Sequence, residues 1–501
     1  MQPSLNNLEV LKKFLESLYR QEQHALKQYP GRQIVLHIGP TNSGKTYEAL
    51  QEALKAKTAL YCAPLRLLAQ QVFEKGSAVR PSRLITGELI KGEQDATFIS
   101  CTAEMFSAKD AFDVAILDEG QLMTDAERGW AFTRVMQHAQ AKKLFVCGEP
   151  GIVELTKRLA RPGDSIEVKT FERLAPLQLE KKHLRSIHSV QPGDALVAFS
   201  RRGIYDLRAR VETLTGQRCS LVYGRLPVES RIAQAEAFNQ EPGQVLVASD
   251  AIGMGLNLQI KRILFTEMMK HHGMRTELVA EPLVKQISGR AGRFGGRYTS
   301  GLVNAFGKEE HSYIRSCLSS PPAIYSNAGI IPTDEQLVAL MSEFPGVTLF
   351  DLLRQIDQGL AMHVFASLSL FQCRLRVPLN VLSLLQDLSL PLKLQLQLMR
   401  APLDADDVRM SHLFRDHYVN RLLKEEPCNL PNFSILPGLP LKIKLEASES
   451  IYKSLDLHCW LAHRFPGQVV DLEEALEKRQ YWSTLISEIL NEMSKVRTKR
   501  K

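Results

Sequence analysis

One short stretch of the sequence, Gly39-Pro-Thr-Asn-Ser-Gly-Lys-Thr46, combines the residue types that hold a chain of phosphates. Its glycines let backbone N–H groups approach phosphate oxygens with no side chain in the way. Lys45 is suited to reach the β- and γ-phosphates, and the Thr46 hydroxyl is suited to ligate Mg²⁺. We therefore assign nucleotide binding to Gly39, Pro40, Thr41, Asn42, Ser43, Gly44, Lys45 and Thr46.

The elements that flank this stretch decide whether it is a phosphate loop or an ordinary glycine-rich turn. Residues 33–38 are an apolar run that predicts a buried strand, and residues 47–54 have the composition of a helix. A phosphate loop requires a strand before it and a helix after it. The context therefore favours the phosphate loop, and it predicts ATP and Mg²⁺ as the cofactors.

A second candidate for chemistry is the carboxylate pair Asp118-Glu119, which follows the apolar run at residues 112–117. At the carboxyl end of a parallel strand, such a pair lies beside the phosphate loop. Asp118 would hold Mg²⁺ through its water shell, and Glu119 would orient and deprotonate the attacking water. A lone Asp-Glu pair is usually a solvated strand end, but its place downstream of a phosphate loop favours catalysis.

Two glycine-containing motifs, residues 249–257 and 286–293, lie in the second half of the chain. Within the latter, Arg290 and Arg293 are separated by an alanine and a glycine. A planar guanidinium meets a γ-phosphate bidentately and stays charged. The alternative is a basic helix face, which does not explain the glycines, because glycine weakens a helix interior. The pattern predicts arginines that reach across a cleft to phosphate.

Short apolar runs alternate with helical patterns through the first two thirds of the chain, which predicts an α/β fold with doubly wound parallel sheets. The alternation pauses over residues 151–194, which we interpret as a linker with one small strand. Leucine-rich helical patterns dominate after residue 330. The predicted domains are an N-terminal helical segment (1–30), a first α/β domain (31–160), a second α/β domain (161–325), a helical C-terminal region (326–494) and a basic, disordered tail (495–501).

Bulk composition constrains the class of protein. The chain has 501 residues, of which 44% are hydrophobic and 24% charged, so large packed cores are expected. The net charge of +8 is compatible with a polyanionic partner. Eight cysteines without a C-x-x-C pair indicate neither a zinc site nor a disulfide framework. Without a membrane-length apolar run or a clear signal or transit peptide, we expect no membrane association and a cytoplasmic, bacterial-type location.

The motifs occur together in a recognisable order. They are residues 39–46, 63–69, 86–88, 101–105, 223–227, 249–258 and 286–294, followed by residues 390–393, 401–402 and 452–465. In this order they resemble superfamily-two DExH-type RNA helicases, in particular the Suv-three family, the helicases of the mitochondrial RNA degradosome and their bacterial relatives. The resemblance covers nearly the whole chain and implies two tandem RecA-like domains followed by a mainly helical region. One departure is Gly120, where the family usually carries an apolar residue; both neighbouring carboxylates are intact.

The resemblance also implies roles for individual residues. Gln286, Arg290 and Arg293 would close on the γ-phosphate from the second domain, and Asp250 and Gly253 would belong to the nucleotide site. Nucleic-acid backbone contacts are implied for Arg66, Thr86, Gly87 and Thr102. Phosphate contacts position a strand without reading its sequence, so low sequence specificity is expected. Similar family members unwind duplexes with 3′-to-5′ polarity.

The predicted function is ATP-dependent translocation on single-stranded RNA with duplex unwinding, in RNA turnover. A phosphate-loop kinase or signalling NTPase is disfavoured by the arginine motif and the second α/β domain. A non-catalytic scaffold of an RNA-decay complex is disfavoured by Lys45, Glu119 and Arg293. A non-unwinding RNA-stimulated NTPase, action on DNA and an exoribonuclease partner stay open.

Residues 268–278 carry one further alternative. Gly273 lies among His271, His272 and Arg275, a composition that fits a hairpin turn. In processive helicases of the resembled group, a hairpin at this point helps to split the duplex. The other interpretation is a plain surface loop.

Overall fold

The structure is a computed structural model that describes residues 8–28, 30–240, 243–253, 255–272, 275–404 and 407–498. None of the helices in these ranges is long and apolar enough to cross a membrane.

The first domain is built around a mostly parallel sheet whose strands alternate with helices, as the apolar runs predict. Its elements are α1 (Leu8–Leu26), β1 (Gln33–Ile38), α2 (Lys45–Lys55), β2 (Ala59–Ala63), α3 (Arg66–Ser77), β3 (Ser82–Ile85), β4 (Ile90–Gly92), β5 (Phe98–Thr102), β6 (Ala111–Leu117), α4 (Gly129–His138), β7 (Gln140–Gly148), α5 (Val153–Leu159) and β8 (Ser165–Thr170). Within the described residues the sheet order is β4-β3-β5-β2-β6-β7-β1-β8. Only the β3–β4 pair of this sheet is antiparallel. The predicted doubly wound parallel sheet is confirmed.

The second domain repeats this architecture with a smaller sheet. Its elements are β9 (Leu177–Leu179), β10 (Asp194–Val197), α6 (Arg201–Thr215), β11 (Arg218–Val222), α7 (Val228–Gln240), β12 (Gln244–Ala248), β13 (Arg262–Phe265), β14 (Met269–His272), β15 (Arg275–Leu278), α8 (Glu281–Ser288), β16 (Gly301–Ala305) and α9 (Lys308–Ser319). The parallel sheet among the described strands has the order β11-β12-β10-β13-β16-β9. Ser200 caps α6 by accepting from Gly203 N, and Gly216 ends the helix at φ 71°.

The segment interpreted as a linker, residues 151–194, is more structured than its sequence indicates. It contains α5, and β8 and β9 add an outer strand to the first and second sheets respectively. Five of the six β8 residues are exposed, so an edge strand of this kind lacks the apolar run that marks the inner strands. The first sheet therefore extends past residue 160, and the chain crosses between the domains over residues 171–176, which we name the linker segment.

The C-terminal region is mainly helical and also holds a small sheet. Its elements are β17 (Ala328–Ile330), α10 (Asp334–Glu343), α11 (Leu349–Leu360), β18 (Val364–Phe365), β19 (Leu370–Gln372), α12 (Arg376–Ser383), α13 (Leu392–Leu398), α14 (Val408–His412), a π-helical turn (Leu413–Val419), α15 (Asn420–Leu423), α16 (Leu441–Arg464) and α17 (Leu472–Thr498). Residues 495–498 of the predicted disordered tail are the end of α17, so the disorder prediction is wrong there. Residues 499–501 lie outside the described residues.

The C-terminal region is divided between the cores of the two α/β domains. Its first part, from Ala328 to Met399, shares one apolar cluster with α1 and the first domain. Leu11, Leu15 and Tyr19 enter this cluster from α1, as an amphipathic helix predicts. Helices α16 and α17 instead share an apolar cluster with the second domain. A further cluster joins α12, α13 and the π-helical turn to the C-terminal part of α16.

The two α/β domains are in direct contact across their cleft. Leu67 of α3, in the first domain, is 1% exposed and belongs to the apolar core of the second domain. Gly255 of the second domain leaves no free space beside it, because a Cβ there would lie 3.3 Å from Leu65 Cδ1. The structure therefore shows a closed cleft.

Residues 268–278 form a hairpin, as one of the two interpretations predicts. Strands β14 and β15 pair antiparallel, with Met269 opposite Leu278 and His272 opposite Arg275. Gly273, the predicted turn residue, lies outside the described residues. The segment is therefore a two-stranded ribbon rather than a plain loop.

Candidate nucleotide site and nucleic-acid face

The candidate site residues of the first domain lie at one edge of its sheet. The phosphate loop follows β1, the Asp118-Glu119 pair follows β6, and β7 separates these two strands. The carboxyl ends of parallel strands meet at the same edge, where ligands bind in open α/β sheets. The fold therefore brings together residues that are more than 70 positions apart, as the hydrogen bond between Thr46 and Asp118 shows.

The phosphate loop is tightly constrained. Gly44 has φ 85°, a conformation that favours glycine, and begins α2. A Cβ on Gly39 would lie 2.4 Å from Phe171 O, so glycine is needed there for close packing. Lys45 is 8% exposed, and its ammonium donates to Pro40 O at 3.0 Å. Ser43 Oγ is buried with no hydrogen-bond partner among the described residues, which fits a loop shaped to surround an anion.

Asp118 and Thr46 form the candidate magnesium site. The Thr46 hydroxyl donates to Asp118 Oδ1 at 2.8 Å, and the Tyr61 hydroxyl donates to Asp118 Oδ2 at 2.8 Å. Burial, followed by the nearby charge of Glu119, raises the pKa of Asp118, while its two hydrogen bonds and Lys45 oppose the rise. Two oxygen donors from a hydroxyl and a carboxylate fit Mg²⁺, which prefers oxygen ligands.

Glu119 adopts a strained backbone conformation beside the site. Its φ of 54° is in the left-handed region, which is uncommon for a residue other than glycine and is found at active sites. Its carboxylate accepts a hydrogen bond from Gln121 Nε2. The neighbouring Gly120, the departure from the family pattern, has a packing reason: a Cβ there would lie 2.8 Å from Val146 Cγ1. Val146 thus fills the space beside Gly120, and both carboxylates keep their place.

The arginine motif of the second domain faces this site. The Arg290 guanidinium donates to Gly253 O, with Nε at 2.8 Å, and senses the charges of Glu119 and Asp118. Burial is the main reason that the pKa of Arg290 is lowered. Gln286 lies within 3.7 Å of the Cβ position of Gly253. Arg293 Nη1 donates to Asn257 Oδ1 at 2.6 Å, so it points along its own domain.

Asp250 is tied to the hairpin. Its carboxylate pairs with Lys270 Nζ of β14 at 2.5 Å. Sequence reasoning placed Asp250 with the nucleotide, whereas the structure gives its side chain a partner on the ribbon. The glycine-rich motif at residues 249–257 therefore connects the hairpin with Gly253 and the arginines.

Contacts across the cleft join the phosphate loop to residues 289–293, which carry both arginines and which we name the finger loop. Asn42 Nδ2 donates to Gly292 O at 2.6 Å. A Cβ on Gly289 would lie 1.8 Å from Thr41 Oγ1, so the two loops touch. Arg173, from the linker segment, donates to carbonyl oxygens of both loops. Burial and then the charge of Arg290 lower its pKa to about 10.

The predicted nucleic-acid residues lie at the same sheet edge, at the carboxyl ends of β2, β3 and β5, and α16 packs against some of them. Arg66 Nη1 lies 2.7 Å from Glu88 Oε1 and 3.1 Å from Asp456 Oδ2 of α16. The Cβ position of Gly87 lies 3.4 Å from Trp460 Cδ1, also on α16. Thr86 and Thr102 are 3% and 6% exposed. The structure therefore brings the four residues to one edge but gives Arg66 carboxylate partners.

Trp460 packs beneath this edge and is itself buried, with 4% of it exposed. The guanidinium carbon of Arg464 lies 3.5 Å from the centre of the Trp460 ring, a cation–π stack. Burial, with a smaller contribution from Arg400, lowers the pKa of Arg464 to about 10. The stack therefore packs the C-terminal end of α16 against the edge and offers no exposed ring on which a base could stack.

Sequence reasoning missed the residues that support the site from other segments. Tyr61 lies inside an apolar run, where its hydroxyl gives no sequence signal. Gln121 follows the carboxylates by two positions, and this proximity was an available signal. Arg173 lies in a segment without a motif, and Asp456 lies within the motif at residues 452–465 but was given no role there. The contacts of both residues depend on the tertiary fold.

Comparison with known proteins matches three parts of the chain to family descriptions. Residues 20–171 match the "DEXQ-box helicase domain of Suv3", residues 180–295 the "Helicase conserved C-terminal domain", and residues 445–492 the "ATP-dependent RNA helicase SUV3 C-terminal domain". In this chain the DEXQ box is Asp118-Glu-Gly-Gln121. The matches cover the sheet of the first α/β domain, the second α/β domain as far as residue 295, and most of the pair α16–α17.

Several curated relatives are similar over most of this chain. The Arabidopsis thaliana DExH-box ATP-dependent RNA helicase DExH16, mitochondrial, is 36% identical over 467 residues, which is 92% of this chain and 81% of that protein. The Saccharomyces cerevisiae ATP-dependent RNA helicase SUV3, mitochondrial, is 35% identical over 93% of this chain and 65% of its own length. The Homo sapiens ATP-dependent RNA helicase SUPV3L1, mitochondrial, is 35% identical over 88% of this chain and 58% of its own length. The chain thus spans about three fifths of the length of several curated relatives.

One solved structure, S. cerevisiae Dbp5 bound to RNA and ADP BeF3, aligns with 64% of this chain and with 95% of its own chain. The sequence identity is 15% and the TM-score 0.42, a likeness too distant to bear on function.

The relatives correct one expectation and establish the family. The three relatives described above, and five further relatives from plants, yeast and animals, are all named as mitochondrial. The expected cytoplasmic, bacterial-type location is therefore wrong. The Arabidopsis thaliana relative DExH16 is 36% identical to this chain, and the match extends over 81% of that protein. The three matched ranges contain most of the motifs that carry the resemblance seen in the sequence, with residues 390–393 and 401–402 outside them. The chain belongs to the SUV3 family of ATP-dependent RNA helicases.

Proposed function

We propose that this chain hydrolyses ATP to move along single-stranded RNA and to separate RNA duplexes, in RNA turnover. The observation that carries the proposal is the contact between the phosphate loop and the finger loop, where Asn42 Nδ2 donates to Gly292 O at 2.6 Å. A kinase-like domain working alone has no use for arginines supplied by a second domain. Closure and opening of such a cleft is the motion that couples a nucleotide to mechanical work.

The residues around the phosphate loop fit ATP with Mg²⁺. Thr46 Oγ1 and Asp118 would hold the ion, with Asp118 acting through a water shell. When bound, the ion supplies positive charge that neutralises the β- and γ-phosphates. Lys45 has its ammonium only 3.0 Å from Pro40 O, inside the loop, where it would meet the same phosphates. Asn42 and Gly44, with φ 63° and 85°, shape the loop so that backbone N–H groups face the anion.

Hydrolysis needs a base and charge on the far side of the γ-phosphate. Glu119 would orient the attacking water and accept its proton, with Gln121 holding the carboxylate. Arg290, held by Gly253 O, would approach the γ-phosphate from the second domain, with Gln286 beside it. Arg293 would join after leaving Asn257. Guanidinium groups that arrive only on closure make turnover depend on the relative position of the two domains.

RNA would lie along the edge that carries Arg66, Thr86, Gly87 and Thr102, beside Trp460. Contacts at such an edge reach the phosphate backbone, so affinity should depend on salt and little on base sequence. Arg66 would have to exchange Asp456 or Glu88 for a phosphate group. Because Arg66 lies in the first turn of α3, this exchange links RNA to the element that inserts Leu67 into the second domain.

ATP hydrolysis with and without RNA, together with unwinding of matched duplexes, tests the proposal. We expect single-stranded RNA to stimulate hydrolysis and RNA duplexes with a 3′ overhang to be unwound, while 5′ overhangs are poor substrates. Stimulated hydrolysis without unwinding would support the non-unwinding NTPase. RNA-independent hydrolysis would favour the signalling NTPase, and binding without hydrolysis would favour the scaffold.

The nucleic-acid class and the partner are tested separately. DNA duplexes of the same sequence and overhang measure the preference for RNA, and titrating salt measures the phosphate contacts. An exoribonuclease partner is part of the proposal only as an extension of the family resemblance. It is tested by whether a purified exoribonuclease and this chain co-elute and degrade a structured RNA that neither degrades alone.

A further inference from the structure

We propose that Arg173 is a positioning residue for hydrolysis, one that holds the finger loop against the phosphate loop when the two domains close. The inference rests on the proposed function and adds to it a residue outside every motif of the sequence. It identifies the linker segment as a working part of the nucleotide site rather than a passive connection.

The linker segment runs from the edge of one sheet to the edge of the other. At its start, Phe171 N donates to Ile38 O at 2.7 Å, and at its end Gly301 N donates to Pro176 O at 2.8 Å. Between these points, Leu174 N donates to Asn42 O at 3.0 Å. The segment is thus bonded along its length to β1, to the phosphate loop and to β16, and it passes directly beside the cleft.

The Arg173 guanidinium uses its planar fork to bridge three segments. Nε donates to Ala175 O at 2.6 Å, which fixes the side chain against its own segment. Nη1 donates to Thr41 O at 3.1 Å and to Gly289 O at 2.9 Å, and Nη2 donates to Ala291 O at 2.5 Å. One side chain therefore binds the phosphate loop and both residues that flank Arg290. These bonds exist together only when the loops are in contact, so they stabilise the closed cleft.

The electrostatics explain why this arrangement would respond to nucleotide. Arg173 is partly buried, and among the described residues it pairs with carbonyl oxygens rather than with a carboxylate. Its charge lies near that of Arg290, and the two repel. Lys45 adds a third cation on the opposite loop. An incoming triphosphate would relieve this repulsion, so closure through Arg173 is expected to be strongest with ATP bound.

A lysine could supply charge at this position but not the fork. Its ammonium has a single nitrogen, which cannot reproduce the spacing of the two Nη atoms that donate to Thr41, Gly289 and Ala291. Replacement by lysine therefore separates positioning through hydrogen bonds from a direct effect of charge on phosphate.

The test compares Arg173→Ala and Arg173→Lys with a matched control, Arg80→Ala. Arg80 is also partly buried and also donates to carbonyls, but Ala53 O and Lys57 O lie in its own domain. We expect both Arg173 variants to lower the kcat of RNA-stimulated hydrolysis by about tenfold or more, about 1.4 kcal/mol, with little change in nucleotide affinity. Arg80→Ala should keep the wild-type kcat. Gly289→Ala, which forces the loops apart by a different route, should resemble Arg173→Ala.

A closure measurement shows whether the effect is positional. Each of the eight cysteines is buried, so cysteines introduced by Lys142→Cys and Arg202→Cys, whose native side chains are 84% and 92% exposed, can be labelled for energy transfer between the domains. A non-hydrolysable ATP analogue should change the transfer in the wild type and not in the Arg173 variants. Normal closure in Arg173→Ala, or near-wild-type kcat in either Arg173 variant, overturns the proposal. The closure measurement requires nucleotide but no RNA. If RNA fails to stimulate hydrolysis by the wild type, the proposed function is contradicted, but the closure measurement still tests the role of Arg173.

Discussion

Arg66 of the first domain and Asp456 of helix α16 form an ion pair, with Nη1 3.1 Å from Oδ2, across 390 positions of sequence. The pair joins a residue assigned to RNA to a residue of the C-terminal region. Arg479 of α17 lies 3.4 Å from the other oxygen of Asp456, and Glu88 completes the group. The edge proposed for RNA is therefore also a joint between domains.

This joint predicts a dependence of stability on pH. Burial, together with repulsion from Asp456, raises the pKa of Glu88 from 4.5 to about 7, against the opposing charges of Arg66 and Arg479. The folded state thus holds the proton more tightly than the unfolded chain does. The resulting stabilisation is fully present below pH 4.5 and is lost as the pH rises through about 7.

Glu88→Gln removes this titration and keeps the shape of the side chain. We expect the free energy of unfolding of the wild type to fall relative to the variant between pH 5 and pH 8, by on the order of 2 kcal/mol. Chemical denaturation across this range measures the difference, with Glu93→Gln, an exposed glutamate, as the control. A difference that stays constant with pH would show that Glu88 does not titrate in this interval.

Glu119→Gln should abolish turnover while ATP still binds, because the attacking water loses its base. The expected loss of kcat is about 10²–10³-fold or more. Lys45→Ala should weaken both binding and turnover, since its ammonium lies within the loop. Nucleotide binding by fluorescence and steady-state hydrolysis separate the two effects. Near-normal turnover of Glu119→Gln would refute the assignment of the base.

Arg290→Ala and Arg293→Ala should affect hydrolysis more than nucleotide affinity, because both residues come from the opposite side of the cleft. A loss of at least about tenfold in RNA-stimulated turnover, about 1.4 kcal/mol, is expected for each. Arg290 is already held by Gly253 O beside the carboxylates, whereas Arg293 must leave Asn257. The prediction fails if RNA-stimulated turnover is unchanged in both variants.

The β14–β15 hairpin should contribute to strand separation rather than to hydrolysis. A hairpin need only block restacking, since a base step is worth a few kcal/mol at most. Replacing residues 270–275 by a short Gly-Ser link is expected to lower unwinding and spare RNA-stimulated hydrolysis. Because Lys270 pairs with Asp250, a second variant replaces residues 271–275 only and keeps that ion pair.

Comparison of the two hairpin variants separates the effect of the hairpin itself from the effect of the Lys270–Asp250 ion pair. If hydrolysis falls only when Lys270 is removed, the ion pair with Asp250 supports the nucleotide site. Unwinding that survives in both variants would assign the hairpin no role in strand separation. A folded-state check by circular dichroism distinguishes either result from loss of the domain.

The parts of the fold that could be predicted from sequence are those in which a single segment shows a pattern of residue types that indicates its structure. The apolar runs give the inner strands β1, β2, β5 and β6, and the glycines with Lys45 and Thr46 identify the phosphate loop between β1 and α2. Strand β8 has no such signal, because its residues are exposed at a sheet edge. Its backbone pairing with β1 is set by the tertiary fold.

The same reason limits prediction of the candidate site. Thr46 and Asp118 could be identified singly and brought together by the rule that parallel strands share an edge. Arg173, whose partners include Thr41, Gly289 and Ala291, lies in the short stretch of residues 171–176, which shows no helical or strand periodicity. Arg66 could be found as a motif residue, but its carboxylate partner is supplied by α16.

The division of the C-terminal region between two cores has a consequence for its autonomy. Its first part completes the apolar cluster of the first domain, and α16 and α17 complete that of the second. Excised from the rest of the chain, residues 326–494 would leave both of these surfaces in water, so the region is not a self-sufficient folding unit. In the intact chain the C-terminal region is packed against both α/β domains at once. Any widening of the cleft between those domains must therefore deform the C-terminal region or break part of its packing.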